Sequence, residues 1–468
     1  MALAGGLVLL LVHAARSGCD HDEVEHLHAA WLITQGQKPF RDFVENHPPG
    51  VHYLLAPLTR ALEGSPRGLV FAARTLDLAL LGIALAVFAS LARPLLRSRR
   101  TGWTAILLLG CFFFVRNSME VRPDPWMNVL SLIGFWQWCA YLRGGSLGRA
   151  AVAGLCFGLA TVFLQKAAAF VGLVGVGTMF ALPDRNALVR AAKGAALGVA
   201  AAAVPLGAFA LAVWRAGYWG DFVFWNYTFN RFYYLEMNPL SPTGAAATVG
   251  ISIGEDPVLW LPGLFGLAIA ARSIFRRRVE PELTAAAAVV VGMLAALFRS
   301  NWPFSHNLLL MQPSLALLAA VALDRITSQR WRSLIGALLV LSVVKVGVLS
   351  LVYTEGRNAP SIQQLLLAST RPSDPLAVPP PYNPIFRPNA FFFWVVSESF
   401  PIAYLECCRR YGCPPGKVDQ DRRAWHQRPP IYVYVPEDEP SWAPFEFAQH
   451  RGRYRLTNVP GLWQLASP

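Results

Sequence analysis

The stretch Cys19-Asp-His-Asp-Glu-Val-Glu-His-Leu-His-Ala-Ala-Trp-Leu-Ile-Thr-Gln-Gly36 opens on carboxylates and continues as an amphipathic helix. Val24, Leu27 and Trp31 fall on one stripe, which suits a helix lying on a bilayer surface better than one crossing it. Gly36 ends that helix. A second polar module follows, Pro39-Phe-Arg-Asp-Phe-Val-Glu-Asn-His-Pro-Pro49, and then an apolar helix from Val51 to Leu62. Residues 17–67 therefore read as one long polar connection with surface helices, set between apolar runs.

The rest of the chain supports a membrane frame. Of its 468 residues 54% are hydrophobic, too many for an ordinary soluble fold of this size. Apolar runs near the roughly 20 residues that a spanning helix needs recur along most of it. Candidate spans are 1–16, 68–92, 102–116, 126–142, 150–165, 167–182, 194–214, 257–272, 283–298, 308–323 and 333–353, about eleven in all. The stretch Ala2 to Ala15 is taken as a first spanning helix and not as a removed signal peptide, because no convincing small-residue cleavage site follows it.

The net charge of +13 could suggest nucleic acid, but the positives sit in short clusters between apolar runs and no nucleic-acid motif accompanies them. One alternate set of connections carries Arg93/Arg97/Arg99/Arg100, Arg143/Arg149, Arg185/Arg190/Lys193, Arg272/Arg276/Arg277/Arg278 and Arg325/Arg330/Arg332. Positive loops face the cytoplasm. The other set is more acidic and aromatic: 17–67, 117–125, 165–166, 215–256, 299–307 and the tail from 354. It is expected outside. The division is thus a transmembrane part, 1–353, and an extracytoplasmic part, 354–468. In the tail, Pro379, Pro380, Pro381 and Pro384 lead to strand-like stretches, Ile431-Tyr-Val-Tyr-Val435 and Tyr454-Arg-Leu456, as in a small soluble α/β domain. Cys408–Cys413, Cys407–Cys413 and free thiols are all open for its three cysteines.

The order Asp22-Glu23, helix, Gly36, Arg41-Asp42-Phe43, His47-Pro48-Pro49 resembles the first extracytoplasmic loop of GT-C glycosyltransferases. Within them it is most like the protein O-mannosyltransferase and aminoarabinose-transferase-like group. The Arg122-Pro-Asp124 turn, Gln165-Lys166, His306 before an apolar helix and the soluble tail extend the match over most of the chain. The resemblance implies an enzyme of the cell inner membrane with its active site on the extracytoplasmic face. Such an enzyme takes a sugar from a polyprenyl-phosphate donor and passes it to a glycan, lipid or protein.

That reaction needs a carboxylate to accept the proton of a poor hydroxyl nucleophile, and cations placed in advance for a lipid phosphate that gains charge as it leaves. By position the resemblance makes Asp22 the catalytic base, with Glu23 beside it and Asp124 as the second acidic residue. The competing reading is that Asp22 and Glu23 cap their helix. Lys166 and Arg122 would hold the donor phosphate. His47 stands where some relatives carry a lysine, and an imidazole is only partly charged near neutral pH. His306, and Arg231 within the aromatic loop of Trp219, Trp225, Tyr227, Tyr233 and Tyr234, complete the candidate substrate contacts. An interfacial aromatic belt explains most of that loop. Lys345, in mid-span, has no sequence-level account.

Two other classes compete. A metal site could be drawn from His21, Asp22, Glu25, His26 and His28, with Glu25 and His28 on one helical face. No zinc motif matches, so no cofactor is indicated, and a divalent metal stays an open alternative. A multi-pass transporter or flippase of a lipid-linked or anionic substrate would need charged groups near the midplane and repeated, broken helices. No internal repeat is visible, and the ionisable residues collect at one surface. The partners expected are the lipid-linked donor, the acceptor and membrane lipids, with no nucleic acid.

Overall fold

The computed structural model describes residues 8, 10–15, 18–97, 102–182, 184–276, 280–352, 359–394, 399–413, 416–436, 443–444 and 446–466. Arg99, Arg100, Arg277 and Arg278 of the basic loops lie outside these, as does most of the first predicted span. The chain divides into two compact units.

The first unit comprises 1–16, 74–211 and 239–353. It is built from apolar helices. Among the described residues, five helical stretches are long and apolar enough to cross a membrane: Pro66–Leu95, Arg185–Arg215, Pro257–Phe275, Pro281–Phe298 and Gln329–Ser350. Shorter apolar helices run over Leu147–Phe163, Lys166–Met179 and Gln312–Asp324. The predicted span 102–116 is two helices, Gly102–Leu109 and Phe112–Met119, interrupted at Gly110 and Cys111. The predicted outer connection 215–256 also contains a further helix, Pro242–Glu255. Ser241 Oγ caps it by accepting from the Gly244 N–H.

Apolar helices in lipid gain little from hydrophobicity against each other, so close backbone approach matters. At Gly154 an added Cβ would sit 2.0 Å from the Gly198 carbonyl oxygen, and at Gly266 only 2.1 Å from that of Leu318. Only glycine fits at either contact.

The unit also buries charge in pairs. Lys345 Nζ lies 3.1 Å from Asp256 Oδ1 and 3.7 Å from Glu255 Oε2. It also donates to the Glu255 carbonyl. The Asp256 carboxylate, 3% exposed, further accepts from Cys111 Sγ and from the Phe112 N–H, each at 3.1 Å. Asp256 therefore ties Lys345 to the break between Gly102–Leu109 and Phe112–Met119. Arg143 meets the fully buried Glu282 at 2.6 Å in the same manner.

The second unit comprises 17–73, 212–238 and 354–468. A four-stranded sheet of order β1-β2-β4-β3 runs through it: β1 Leu376–Ala377, β2 Tyr432–Tyr434, β3 Tyr454–Leu456 and β4 Leu462–Leu465. β1 and β2 are parallel, with Leu376 opposite Tyr432. β2–β4 and β3–β4 are antiparallel. Helix Gly416–Gln427 lays Trp425 among Phe391, Val433, Phe447 and Tyr454 to form one core. Helix Ser399–Tyr411 brings Tyr404 flat against Trp225, with ring centroids 5.3 Å apart and planes at 12°. Trp225 is therefore a core residue, and π-helical turns at Phe224–Phe229 and Phe232–Glu236 place it there. The belt reading suits the exposed Trp219 and Tyr227 instead. Cys408 and Cys413 are disulfide-bonded, and Cys407 is a buried free thiol.

Candidate active-site elements

In the second unit, the helix predicted after Cys19 runs over His21–Thr34. Its cap is Asp20, whose side chain accepts from the Asp22 N–H at 3.0 Å, while Glu23 Oε2 accepts from the Asp20 N–H at 2.9 Å. This reciprocal capping box satisfies two of the amides that a helix N-terminus leaves unpaired. The capping alternative therefore applies to Asp20 and Glu23. The Asp22 side chain is 28% exposed, and its Oδ1 lies 3.9 Å from His21 Nε2. An acid in the first turn is also favoured by the helix dipole.

The His47-Pro48-Pro49 module precedes the helix Gly50–Ala61, whose missing amide donors at the two prolines suit a helix start. Glu45 Oε1 accepts from the backbone N–H of Asn46 and His47, each at 2.9 Å, and lies 3.0 Å from His47 Nδ1. His47 is thus a tethered ring at 24% exposure. Burial pushes the Glu45 carboxyl up, but His52, His47 and these backbone bonds outweigh it and hold it below its usual range. Burial drives His52 below the usual imidazole value, against the pull of Glu45. Asn46 donates to the Tyr234 hydroxyl at 3.2 Å. Burial, with Tyr233, Glu25 and Asp22 nearby, raises that phenol above its ordinary range. Arg231 is 72% exposed and pairs with Glu236 at 2.8 Å; Glu236 also accepts from the Tyr411 hydroxyl and pairs with Arg410.

In the first unit, the Arg116-to-Asp124 turn is a chain of alternating charge. Arg116 Nε meets Glu120 at 2.9 Å, Arg122 Nη1 meets Glu120 at 3.5 Å, and Arg122 Nε meets Asp124 at 3.6 Å. Lys166 Nζ reaches the same Asp124 at 3.4 Å. Asp124, 2% exposed, opens the helix Pro123–Leu142, and Lys166 opens Lys166–Met179. One buried carboxylate thus gathers two cations, Arg122 from its own turn and Lys166 from 42 residues further along the chain. A pair of cations held side by side is suited to a phosphate, which accepts from both at once. His306 lies in a 3₁₀ turn, Ser305–Leu308, and stacks on Phe304 at 5.2 Å. Of the residues singled out in the sequence, Asp124, Arg122 and Lys166 are brought together. Asp22, Glu23 and His47 share the second unit. Glu45 and His52 were missed, because they match no spaced motif, and His26 had been named only in the metal alternative.

No protein-family model and no curated protein matches the chain. Solved structures do. The crystal structure of ArnT from Cupriavidus metallidurans bound to undecaprenyl phosphate superimposes with a TM-score of 0.60 at 17% identity, over 79% of this chain and 72% of that one. The oligosaccharyltransferase of Archaeoglobus fulgidus tethered to an acceptor peptide containing the NVT sequon gives 0.55 at 13% identity, over 99% and 74%. Its apo form gives 0.51 at 14%, over 78% and 58%. Both neighbours are GT-C membrane glycosyltransferases, and this chain has their fold. With its apolar helices, that makes it a multi-pass membrane protein.

Proposed function

We propose that this chain is a glycosyltransferase that moves a single sugar from a polyprenyl-phosphate donor to an extracytoplasmic glycan, lipid or protein acceptor, with inversion. The observation that carries the proposal is the division of labour at the start of helix His21–Thr34. Asp20 and Glu23 form the cap, and the partly exposed carboxylate of Asp22 lies off it. The neighbouring fold bound to undecaprenyl phosphate supports the donor class.

In this reading the acceptor hydroxyl attacks the anomeric carbon as Asp22 takes its proton. The new C–O bond forms while the bond from the anomeric carbon to the phosphate oxygen breaks. Polyprenyl phosphate leaves with the electron pair. Lys166 and Arg122 stabilise that charge, Asp124 holds the two cations in position, and His47 assists from its tether to Glu45. A positioned base contributes about 10²–10⁴-fold, and preorganised cations act where charge develops. Glu23 serves as the capping partner, while His306 and Arg231 are left as peripheral substrate contacts.

The test is transfer from a synthetic prenyl-phosphate sugar by purified wild type, Asp22→Asn and Asp20→Asn. Asparagine caps as well as aspartate, so Asp20→Asn should stay active and Asp22→Asn should not. Full activity of Asp22→Asn would remove the base from this position. No transfer by wild type from any prenyl-phosphate sugar would remove the class.

A further inference from the structure

A buried cluster joins helix His21–Thr34 to helix Gly50–Ala61, and the transfer reading uses it only through the tether of His47 to Glu45. His26 comes from the first of these helices, His52 from the first turn of Gly50–Ala61, and Glu45 from the loop between them. Their exposures are 1%, 0% and 1%. His26 Nδ1 lies 2.9 Å from His52 Nε2, and His52 Nε2 lies 3.3 Å from Glu45 Oε2. One ligand atom from each residue falls within 4.8 Å of the others. The ligand atoms of a tetrahedral zinc ion, each about 2.0–2.1 Å from the metal, stand roughly 3.3 Å apart. Two of the separations, 2.9 and 3.3 Å, lie near that value, and the third is within 4.8 Å.

A second observation points the same way. The two Glu45 oxygens are unequal: Oε1 takes two backbone N–H groups and faces His47, whereas the buried Oε2 receives no hydrogen bond. That bare oxygen faces the two imidazoles. Burying an acceptor without a donor costs about 1–3 kcal/mol, more for a charged group, and a cation at this point would remove the cost.

We propose that His26, Glu45 and His52 form a binding site for a divalent transition-metal ion of the zinc class. Two imidazole nitrogens and a carboxylate oxygen are a donor set that zinc takes, and oxygen-preferring magnesium or calcium would not choose it. The ion ties helix His21–Thr34 to helix Gly50–Ala61 through the intervening loop. It thereby stiffens the segment that presents Asp22. A second cluster, His21, Asp22 and Glu25, is partly exposed, and its Glu25 also comes close to Glu45 and His47.

The probe is Co²⁺, which reports its ligands by visible absorption. Purified full-length protein, stripped with chelator, is equilibrated with Co²⁺, freed of excess and assayed for cobalt per chain and for its absorption bands. One cobalt per chain, displaced by Zn²⁺ and accompanied by a rise in Tm, is the expected result. Glu45→Gln and His52→Ala should each weaken binding at least tenfold, while His21→Asn should leave it unchanged. Wild type that takes up no stoichiometric cobalt overturns the proposal, even if a variant fails to fold. Loss in His21→Asn with retention in Glu45→Gln would overturn it equally by moving the ion to the exposed cluster. No sugar donor enters the assay, so its outcome is independent of the transfer reading.

Discussion

The two units bury charge in opposite ways. The membrane-helix unit matches strong cations to carboxylates: Lys345 with Asp256, Arg143 with Glu282, Lys166 and Arg122 with Asp124. The unit that carries the sheet instead buries groups that titrate: Glu45, His26, His52 and Asp421. Arg387 is its exception, held by the carbonyls of Leu367, Thr370 and Phe386. Removing one partner of a buried pair leaves an uncompensated charge, whereas a buried imidazole or carboxyl can neutralise itself. The sheet-bearing unit is therefore the part of the protein that should answer to pH, and the helical unit the part that should hold a fixed charge pattern for an anionic ligand.

The sharpest way to break this comparison is kinetic. Asp22→Asn should lower turnover by roughly 10²-fold or more with donor binding retained, as read from kcat against donor Kd. A variant that lost donor affinity with kcat unchanged would place Asp22 with the cations and not with the base.

Next in size is pH. Burial pushes the Asp421 carboxyl up to about 7, against the pull of the Phe393 and Phe392 amides that donate to it. In the folded state it keeps its proton where the unfolded chain has already lost it, so its contribution to stability is greatest at acid pH. That contribution falls as pH rises from the ordinary carboxylate value to about 7. Between pH 5 and 7 wild type should lose roughly 2 kcal/mol relative to Asp421→Asn, at about 1.36 kcal/mol per unit. Parallel stability curves for the two proteins would contradict this.

Lys166→Ala should weaken binding of a prenyl-phosphate sugar about tenfold, the size of one charge-assisted contact. Lys166→Arg should recover part of it. Unaltered donor binding by the alanine variant would leave Lys166 as a structural partner of Asp124 alone. The smallest effect is the cap: Asp20→Ala should cost about 1 kcal/mol of stability while Asp20→Asn costs almost none, measured by thermal unfolding. A loss of turnover in Asp20→Asn at unchanged stability would shift the base two residues upstream.

Local signals carried most of the helical frame, because hydropathy is a property of neighbouring residues. The apolar runs from 68 onward are helical where their hydropathy predicted helices, and the strands Tyr432–Tyr434 and Tyr454–Leu456 fall where the tail alternates. Asp22 was singled out by the resemblance and not by a local signal, and the helix it begins is buried from Glu23 to Leu32 instead of lying amphipathic on a surface. Two features were not legible. The break at Gly110 and Cys111 is bridged by Asp256, a partner far away in sequence. Helix Pro242–Glu255 was read as part of an aromatic connection, because its proline start and capping serine look like loop chemistry. The Asp20–Glu23 capping box, by contrast, was present in the sequence as an acid followed three residues later by glutamate.

What the sequence determined by itself is thus the membrane class and the helices. Each depends on contacts within a turn or two, or on transfer of a contiguous segment out of water. Tertiary structure alone decided which charges meet. Lys345 found Asp256 across 89 residues, Lys166 found Asp124 across 42, and His26 found His52 across 26. It also gathered 17–73, 212–238 and 354–468 into one compact unit. Buried polar groups choose partners by distance in space, under a desolvation cost that only packing imposes, and no local pattern encodes that choice.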